Sequence, residues 1–327
     1  MKSSQHILFT GGTGFFGRSL LRCWLKSYVA GIVYPTVTIL TRSSQGFLAC
    51  YPEFADQPWL SFHNGDICEP RTLPQDGSFT HILHAAADST LGPQLNPLQR
   101  YDQIVSGTRN ILDLAVSRGA KRFLFVSSGA VYGPQPFHLD RIPEDWNGIP
   151  DPLNPRNAYG IAKRAAEHLC ALYGQKFAIE FVIARCFAFV GPDLPLDVHF
   201  AIGNFIRDAL WHDEIIVNGD GSPQRSYLDQ QDLARWLLAL VEKGESGRAY
   251  NVGSDEAITI ADLACLVRDI VAPRKQIRIL GKANINAERN FYIPDITRAK
   301  NELGLDVRIS LAEAIKATAE AASGAHQ

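Results

Sequence analysis

Short apolar runs alternate with longer stretches of helical periodicity through the first half of the chain. Residues 6–10, 37–40, 61–63, 81–84, 122–127 and 179–184 read as strands. Apolar residues at helical spacing predict helices over 14–26, 97–118 and 158–173. Short strands alternating with amphipathic helices predict βαβ units, and so an α/β fold with a doubly wound parallel sheet. From about Phe187 the pattern loosens. Pro192, Pro195 and Pro223, with the Asn-Gly-Asp-Gly run at 218–221, mark loops and turns. Helical spacing returns over 229–242, followed by a strand at 249–252, a helix at 259–271, a strand at 277–280 and a last helix at 311–321. The second half therefore reads as a smaller C-terminal α/β lobe. The expected boundaries are 1–186 plus about 228–248 for the first domain, and 187–227 plus 249–327 for the lobe.

The segment Ile-Leu-Phe-Thr-Gly-Gly-Thr-Gly-Phe-Phe-Gly at 7–17 adds chemistry to this pattern. It passes from strand to turn to helix start, with Gly11, Gly14 and Gly17 three apart. A glycine-rich turn in that context lets backbone approach a pyrophosphate, and the helix N-terminus supplies donors and partial positive charge. This makes the fold Rossmann-like, with Gly11, Gly14, Phe15, Phe16 and Gly17 as candidate cofactor contacts. Asp66 and Ile67, after the third strand, and Ala85, Ala86 and Ala87, after the fourth, suit the rest of a dinucleotide: an acid for the adenine amino group and small side chains for the cofactor backbone.

Composition narrows the picture by exclusion. The chain has 327 residues, a net charge of −2 and no run of basic residues, so no nucleic-acid partner is expected. No apolar stretch reaches the ~18 residues of a membrane helix, and the first apolar run leads straight into the glycine turn, unlike a signal peptide. The six cysteines show neither CxxC nor metal spacing. They read as reduced structural thiols in a cytoplasmic protein, with no metal expected.

Val-Ser-Ser-Gly-Ala-Val-Tyr-Gly at 126–133 ends a strand, and Tyr-Gly-Ile-Ala-Lys at 159–163 opens a helix. Tyr159 and Lys163 are four apart and share a helix face. A free phenol has a pKa near ~10, so a neighbouring ammonium and a nicotinamide cation are needed to favour phenolate. A Ser128 hydroxyl could hold a substrate oxygen in line with Tyr159. Together these residues suit proton transfer at a carbonyl or alcohol beside a hydride donor.

With these motifs the chain resembles the extended short-chain dehydrogenase/reductase family, the NAD(P)-dependent epimerase/dehydratase group acting on nucleotide sugars. The resemblance spans nearly the whole chain. It maps the catalytic serine, tyrosine and lysine to Ser128, Tyr159 and Lys163, and the stretches at 184–192, 219–234, 250–254 and 294–304 to further family motifs. It implies substrate contacts at Ser89, Ser128, Ala130, Arg225 and Arg289, with Arg225 facing the substrate diphosphate. It also implies a homodimer packed through the helices at 97–118 and 158–173, whose apolar stripes (Ile104, Ile111, Leu112, Ala115; Ala162, Ala165, Ala166, Leu169) could equally face the sheet.

Departures from the family pattern bear on the reaction. The dehydratases of the group carry an acid pair after the catalytic residue; here Gly129 and Ala130 stand there, which disfavours 4,6-dehydration. Ala188 and Ile104 occupy positions where the group usually has asparagine. At the end of the second strand, where an acid usually grips the ribose of NAD, stand Arg42 and Ser43. A guanidinium there can pair with a 2′-phosphate, which favours NADP while leaving NAD open. The expected activity is hydride transfer at C4 of a nucleotide-diphosphate sugar, by a 4-epimerase or a 4-keto-sugar reductase of polysaccharide biosynthesis. A non-sugar ketone reductase and a non-catalytic dinucleotide-binding protein are the alternatives.

Overall fold

The computed structural model describes residues 5–87, 95–282 and 290–324. In chain order the elements are β1 (His6–Thr10), α1 (Phe15–Val29), β2 (Thr36–Thr41), α2 (Ser44–Cys50), β3 (Leu60–Asn64), β4 (His81–His84), α3 (Pro97–Ser117), β5 (Arg122–Ser128), α4 (Ala158–Phe177), β6 (Glu180–Cys186), β7 (Phe189–Val190), α5 (Ala201–Trp211), β8 (Glu214–Val217), β9 (Gln224–Arg225), β10 (Leu228–Asp229), α6 (Gln230–Lys243), β11 (Arg248–Val252), β12 (Ile258–Thr259), α7 (Ile260–Val271), β13 (Gln276–Ile279), β14 (Phe291–Tyr292), α8 (Thr297–Leu303) and α9 (Leu311–Gly324). The chain divides into two compact units: 1–133, 149–186 and 234–250 form the first, and 134–148, 187–233 and 251–327 the second.

The first unit is built on a seven-stranded sheet in the order β11-β6-β5-β4-β1-β2-β3. The pairs β1–β2, β2–β3, β1–β4, β4–β5 and β5–β6 are parallel. Parallel strands covered on both faces need continuous apolar runs, and Ile7, Leu8 and Phe9 of β1 are fully buried. The order reverses direction between β1 and β4, the place where doubly wound sheets open a crevice at their C-terminal ends.

Helices α3 and α4 pack on one another and on the sheet. Ile104, Ile111, Leu112, Ala115, Ala162, Ala166 and Leu169 all join one core cluster with Phe123 and Phe125 of β5. Of the eight stripe residues considered for a dimer, these seven are interior to this unit, and Ala165 is half-buried outside the cluster. The outward face of the pair carries Asp102, Ser106, Arg109, Asp113 and His168, and Tyr173 of α4 donates to Asp113 of α3 at 2.5 Å.

The second unit holds more regular structure than its loosened pattern suggests. Helix α5 occupies 201–211 and buries Ile202, Phe205, Ile206 and Ala209. Its strands are mostly two residues long: β9 pairs antiparallel with β12 and parallel with β14. Segment 134–148 is tied to this unit through Asn251, whose Nδ2 donates to the carbonyls of Ile142 and Asp295.

Candidate active site

The glycines after β1 divide by what a side chain would meet. Gly11 has a φ of +78°, in the left-handed region that favours glycine. A Cβ on it would lie 2.7 Å from the Ala85 carbonyl carbon; on Gly12, 2.5 Å from Ile39 Cδ1; on Gly17, 2.0 Å from the Gly12 oxygen. Those three are glycine because the protein packs against them. Gly14 is exposed, and a Cβ there would meet only the Gly11 oxygen at 3.5 Å, an ordinary contact. No packing among the described residues demands glycine at 14, and the backbone there is open to close approach by a group from outside. Helix α1 starts there with no side-chain cap and no acid in its first turn, which suits an anion at its N-terminus. Phe15 and Phe16 open that helix, with ring centroids 5.9 Å apart. The residues present therefore fit a dinucleotide pyrophosphate.

Sequence reasoning misses what holds this turn in place. Thr10 Oγ1 accepts the Ala86 N–H at 3.2 Å and bonds His84 Nδ1 at 2.7 Å, while His84 Nε2 reaches Thr108 Oγ1 at 3.1 Å. Complete burial pulls the His84 pKa down to about 3, with the Lys163 charge adding to the effect. The imidazole is a neutral strut between β1, β4 and α3. Ala85, Ala86 and Ala87 follow β4 half-buried, and the Ala85 backbone touches Gly11.

At the end of β2, Arg42 is exposed and Ser43 caps α2, its hydroxyl accepting the Gly46 N–H at 3.2 Å. After β3, Asp66 Oδ1 accepts the Cys68 N–H at 2.9 Å. The Ile67 side chain is turned into the core against Gly107, so only its backbone is left to meet a ligand.

Three strand-and-helix residues converge at the end of β5. Ser128 is the last residue of that strand and its Oγ accepts the Ala130 N–H at 3.2 Å. The close approach of α4 to the turn after β5 requires Gly160, where a Cβ would lie 2.6 Å from the Ala130 oxygen. That approach brings Tyr159 to a hydrogen bond with Ser128. Burial pushes the Tyr159 phenol above its ordinary pKa, and the Ser128 bond and the Arg100 charge pull it back. Lys163, one turn along, is buried and donates from Nζ to the Val126 carbonyl at 2.7 Å. Burial lowers its pKa to about 8. The cation lying on the Tyr159 ring is Arg100 of α3, with Cζ 4.3 Å from the ring centroid.

A second polar layer lies behind these residues. Glu167, another turn along α4, accepts from two donors of Arg185 of β6, Nε at 3.1 Å to Oε1 and 3.3 Å to Oε2 and Nη2 at 2.8 Å to Oε2, and from Ser127 Oγ at 2.6 Å. Arg185 also donates to the Tyr132 hydroxyl at 2.9 Å. Burial opposes the Arg185 charge, but the Glu167 bonds outweigh it and hold the guanidinium above its ordinary pKa. Gly129 and Ala130, in the turn between these layers, bring no ionisable group.

In the second unit, Arg225 of β9 donates to the Asn290 carbonyl at 2.8 Å and to Asn290 Oδ1 at 3.0 Å. With a third bond from Nη1 to the Gln224 carbonyl at 2.7 Å, three of the five guanidinium donors serve neutral acceptors, and these bonds leave its charge uncompensated. The rings of Phe187 and Tyr292 lie 4.6 Å apart in the same unit. Ser89 and Arg289 lie outside the described residues. Among the described residues no group of His, Cys, Asp and Glu has metal-binding geometry, and no helix is long and apolar enough to cross a membrane.

The chain is similar to known proteins over most of its length. The model of the NAD dependent epimerase/dehydratase family matches residues 7–253. UDP-glucuronic acid decarboxylase 1 of Arabidopsis thaliana is 32% identical over 310 residues, 94% of this chain and 68% of that protein. UDP-glucuronic acid decarboxylase 1 of Danio rerio is 30% identical over 318 residues, 97% of this chain and 72% of that protein. The crystal structure of UDP-glucuronic acid 4-epimerase from Bacillus cereus, in complex with UDP-glucuronic acid and NAD, superposes with a TM-score of 0.81 at 24% identity, covering 98% of this chain and all of that one. At that identity the likeness speaks for the fold: a Rossmann-like α/β unit with a parallel central sheet. The motifs, the sheet and the match over most of the chain lead to one conclusion: this protein belongs to the NAD dependent epimerase/dehydratase family.

Proposed function

We propose that this chain is an NAD(P)-dependent enzyme acting on C4 of a nucleotide-diphosphate sugar, as a 4-epimerase or 4-keto-sugar reductase. The observation that carries the reading is the hydrogen-bonded Ser128–Tyr159 pair with Lys163 one turn away, at the same C-terminal end of the parallel strands as the glycine turn. Gly11, Gly14, Phe15, Phe16, Gly17, Asp66, the Ile67 backbone and Ala85–Ala87 would hold the dinucleotide. When bound, it accepts or gives a hydride. Ser128 orients the sugar oxygen, Tyr159 takes or returns its proton, and Lys163 favours the phenolate through its charge. Arg225 would pair with the diphosphate, using donors that Asn290 and Gln224 leave over, and Ser89, Ala130 and Arg289 would complete the sugar site. Arg42 and Ser43 favour a 2′-phosphate and so NADP.

A second reading is oxidative decarboxylation of a nucleotide-linked uronic acid, favoured by the names of the curated relatives. A uronic acid oxidised at C4 is a β-keto acid, which loses carbon dioxide readily and needs no acid–base pair of the kind that dehydration demands. Gly129 and Ala130 are compatible with it and speak against 4,6-dehydration. The test is incubation of the loaded protein with UDP-glucose, UDP-glucuronic acid and a 4-keto-6-deoxy nucleotide sugar. A C4 epimer or a reduced C4 alcohol supports the first reading, carbon dioxide and a pentose the second. Product formation undiminished in Tyr159→Phe sinks both.

A further inference from the structure

Arg100 belongs to no motif, yet the fold lays it on the ring of the acid–base tyrosine. It stands in the first turn of α3, and its Cζ is 4.3 Å from the Tyr159 centroid, within the range of a cation–π contact. The groups facing Tyr159 come from four elements. Ser128 of β5 bonds the phenol, Arg100 of α3 covers its face, Lys163 lies one turn on along α4, and the Cys186 thiol of β6 is close enough to act on it. Burial keeps Cys186 protonated, and the Lys163 ammonium is turned to a backbone carbonyl. A guanidinium stays charged over the working pH range, unlike a buried ammonium. The Arg100 field also reaches Lys163, on which it acts against protonation.

We propose that Arg100 is a positioning residue that sets the charge state of the Tyr159–Lys163 pair, holding a permanent cation against the phenol face so that proton transfer does not depend on Lys163 alone. This rests on Tyr159 being the acid–base group, but its test does not use turnover.

The experiment is carbon-13 NMR titration of the full chain, labelled at Tyr Cζ and Lys Cε. Tyr159→Phe and Lys163→Met assign the two signals, and circular dichroism verifies the fold at each pH. Wild type, Arg100→Met and Arg100→Lys are compared. The expected result is that Arg100→Met raises the Tyr159 midpoint by about one pH unit, a tenfold change in proton affinity, and raises the Lys163 midpoint by less. Arg100→Lys should retain most of the wild-type values. Unchanged midpoints in Arg100→Met overturn the proposal. So does Arg100→Lys behaving as Arg100→Met, which would make the contact one of packing and not of charge. Full turnover in Tyr159→Phe would instead remove the acid–base reading on which the proposal stands.

Discussion

Two cations pack against α4, Lys163 from within it beside β5 and Arg185 from β6, and they are wired in opposite ways. Lys163 has a neutral carbonyl as its hydrogen-bond acceptor, and burial lowers its pKa to about 8. Arg185 has a carboxylate that bonds it twice, and its charge is locked. Both sit one layer from Ser127 and Ser128, whose hydroxyls serve the two layers separately: Ser127 bonds Glu167, and Ser128 bonds Tyr159. The difference teaches where this unit keeps its adaptable protons. The layer facing the glycine turn can change charge near neutral pH, and the layer behind it cannot. A rigid, fully paired support for a poised reactive group is what preorganisation requires.

The most severe way to break this contrast is at the reactive layer. Tyr159→Phe removes the proton carrier and keeps the ring, so turnover should fall by about 10²–10⁴-fold with the thermal midpoint of unfolding unchanged. Steady-state kinetics beside calorimetry check both halves.

In the paired layer the effect should appear in stability. Glu167→Ala leaves Arg185 buried without its carboxylate, and loss of one partner of a buried pair costs about 3–5 kcal/mol. Urea unfolding would measure it. A loss below about 1 kcal/mol would mean that the pair is solvated and the contrast fails.

Lys163 sharpens the comparison through pH. Its folded pKa, about 8, lies below the ordinary lysine value of 10.5. Below pH 8 both states are protonated and the folded state bears the full cost of a buried charge. Between about 8 and 10.5 the unfolded chain holds the extra proton, so this group's contribution to stability rises with pH. Its total size is about 3 kcal/mol. Lys163→Met should remove that rise, seen as a pH-dependent difference between wild-type and variant unfolding free energies. Arg185, locked, should contribute no such slope.

The smallest expected effect lies outside both layers. Arg42→Ala should weaken NADPH relative to NADH by about tenfold, the worth of a charge-assisted bond in a wet site. Fluorescence titration with both nucleotides reads it, and an unchanged ratio would mean that Arg42 points to solvent.

The two layers also differ in how far the sequence discloses them. Ser128, Tyr159 and Lys163 are legible because a strand end and a four-residue helix spacing are local features. The strands β1 and β4 are read to the residue for the same reason: each centres on a short apolar run, Ile7–Phe9 and Ile82–Leu83, with polar residues at its ends. Arg100 and Tyr159 lie far apart in the chain, and Glu167 and Arg185 meet only once α4 packs beside β6, so no local pattern announces either contact. Thr10 and His84 look like ordinary strand ends until their hydrogen bond is seen. Helix α5 is a different failure. Its Ile202, Phe205, Ile206 and Ala209 have helical spacing, but the prolines on either side draw the eye to loops. The stripes of α3 and α4 show the reverse: their period is right, and the partner they face is the sheet of their own unit. The two-residue strands β9, β12 and β14 have too few residues to carry any period.

The most direct test of the account follows a hydride. Wild-type protein and Tyr159→Phe, each loaded with dinucleotide, are mixed with UDP-sugars deuterated at C4, and in parallel with deuterated NADPH and a 4-keto nucleotide sugar. Mass spectrometry then locates the label. The account predicts deuterium crossing between C4 and the nicotinamide in the wild type, and crossing slowed by orders of magnitude in Tyr159→Phe. An epimerase returns the same hydride, so retention of the C4 label is expected there; a sugar converted with its C4 deuterium lost to solvent, or a 4-keto sugar reduced with no deuterium taken from the labelled NADPH, would contradict it.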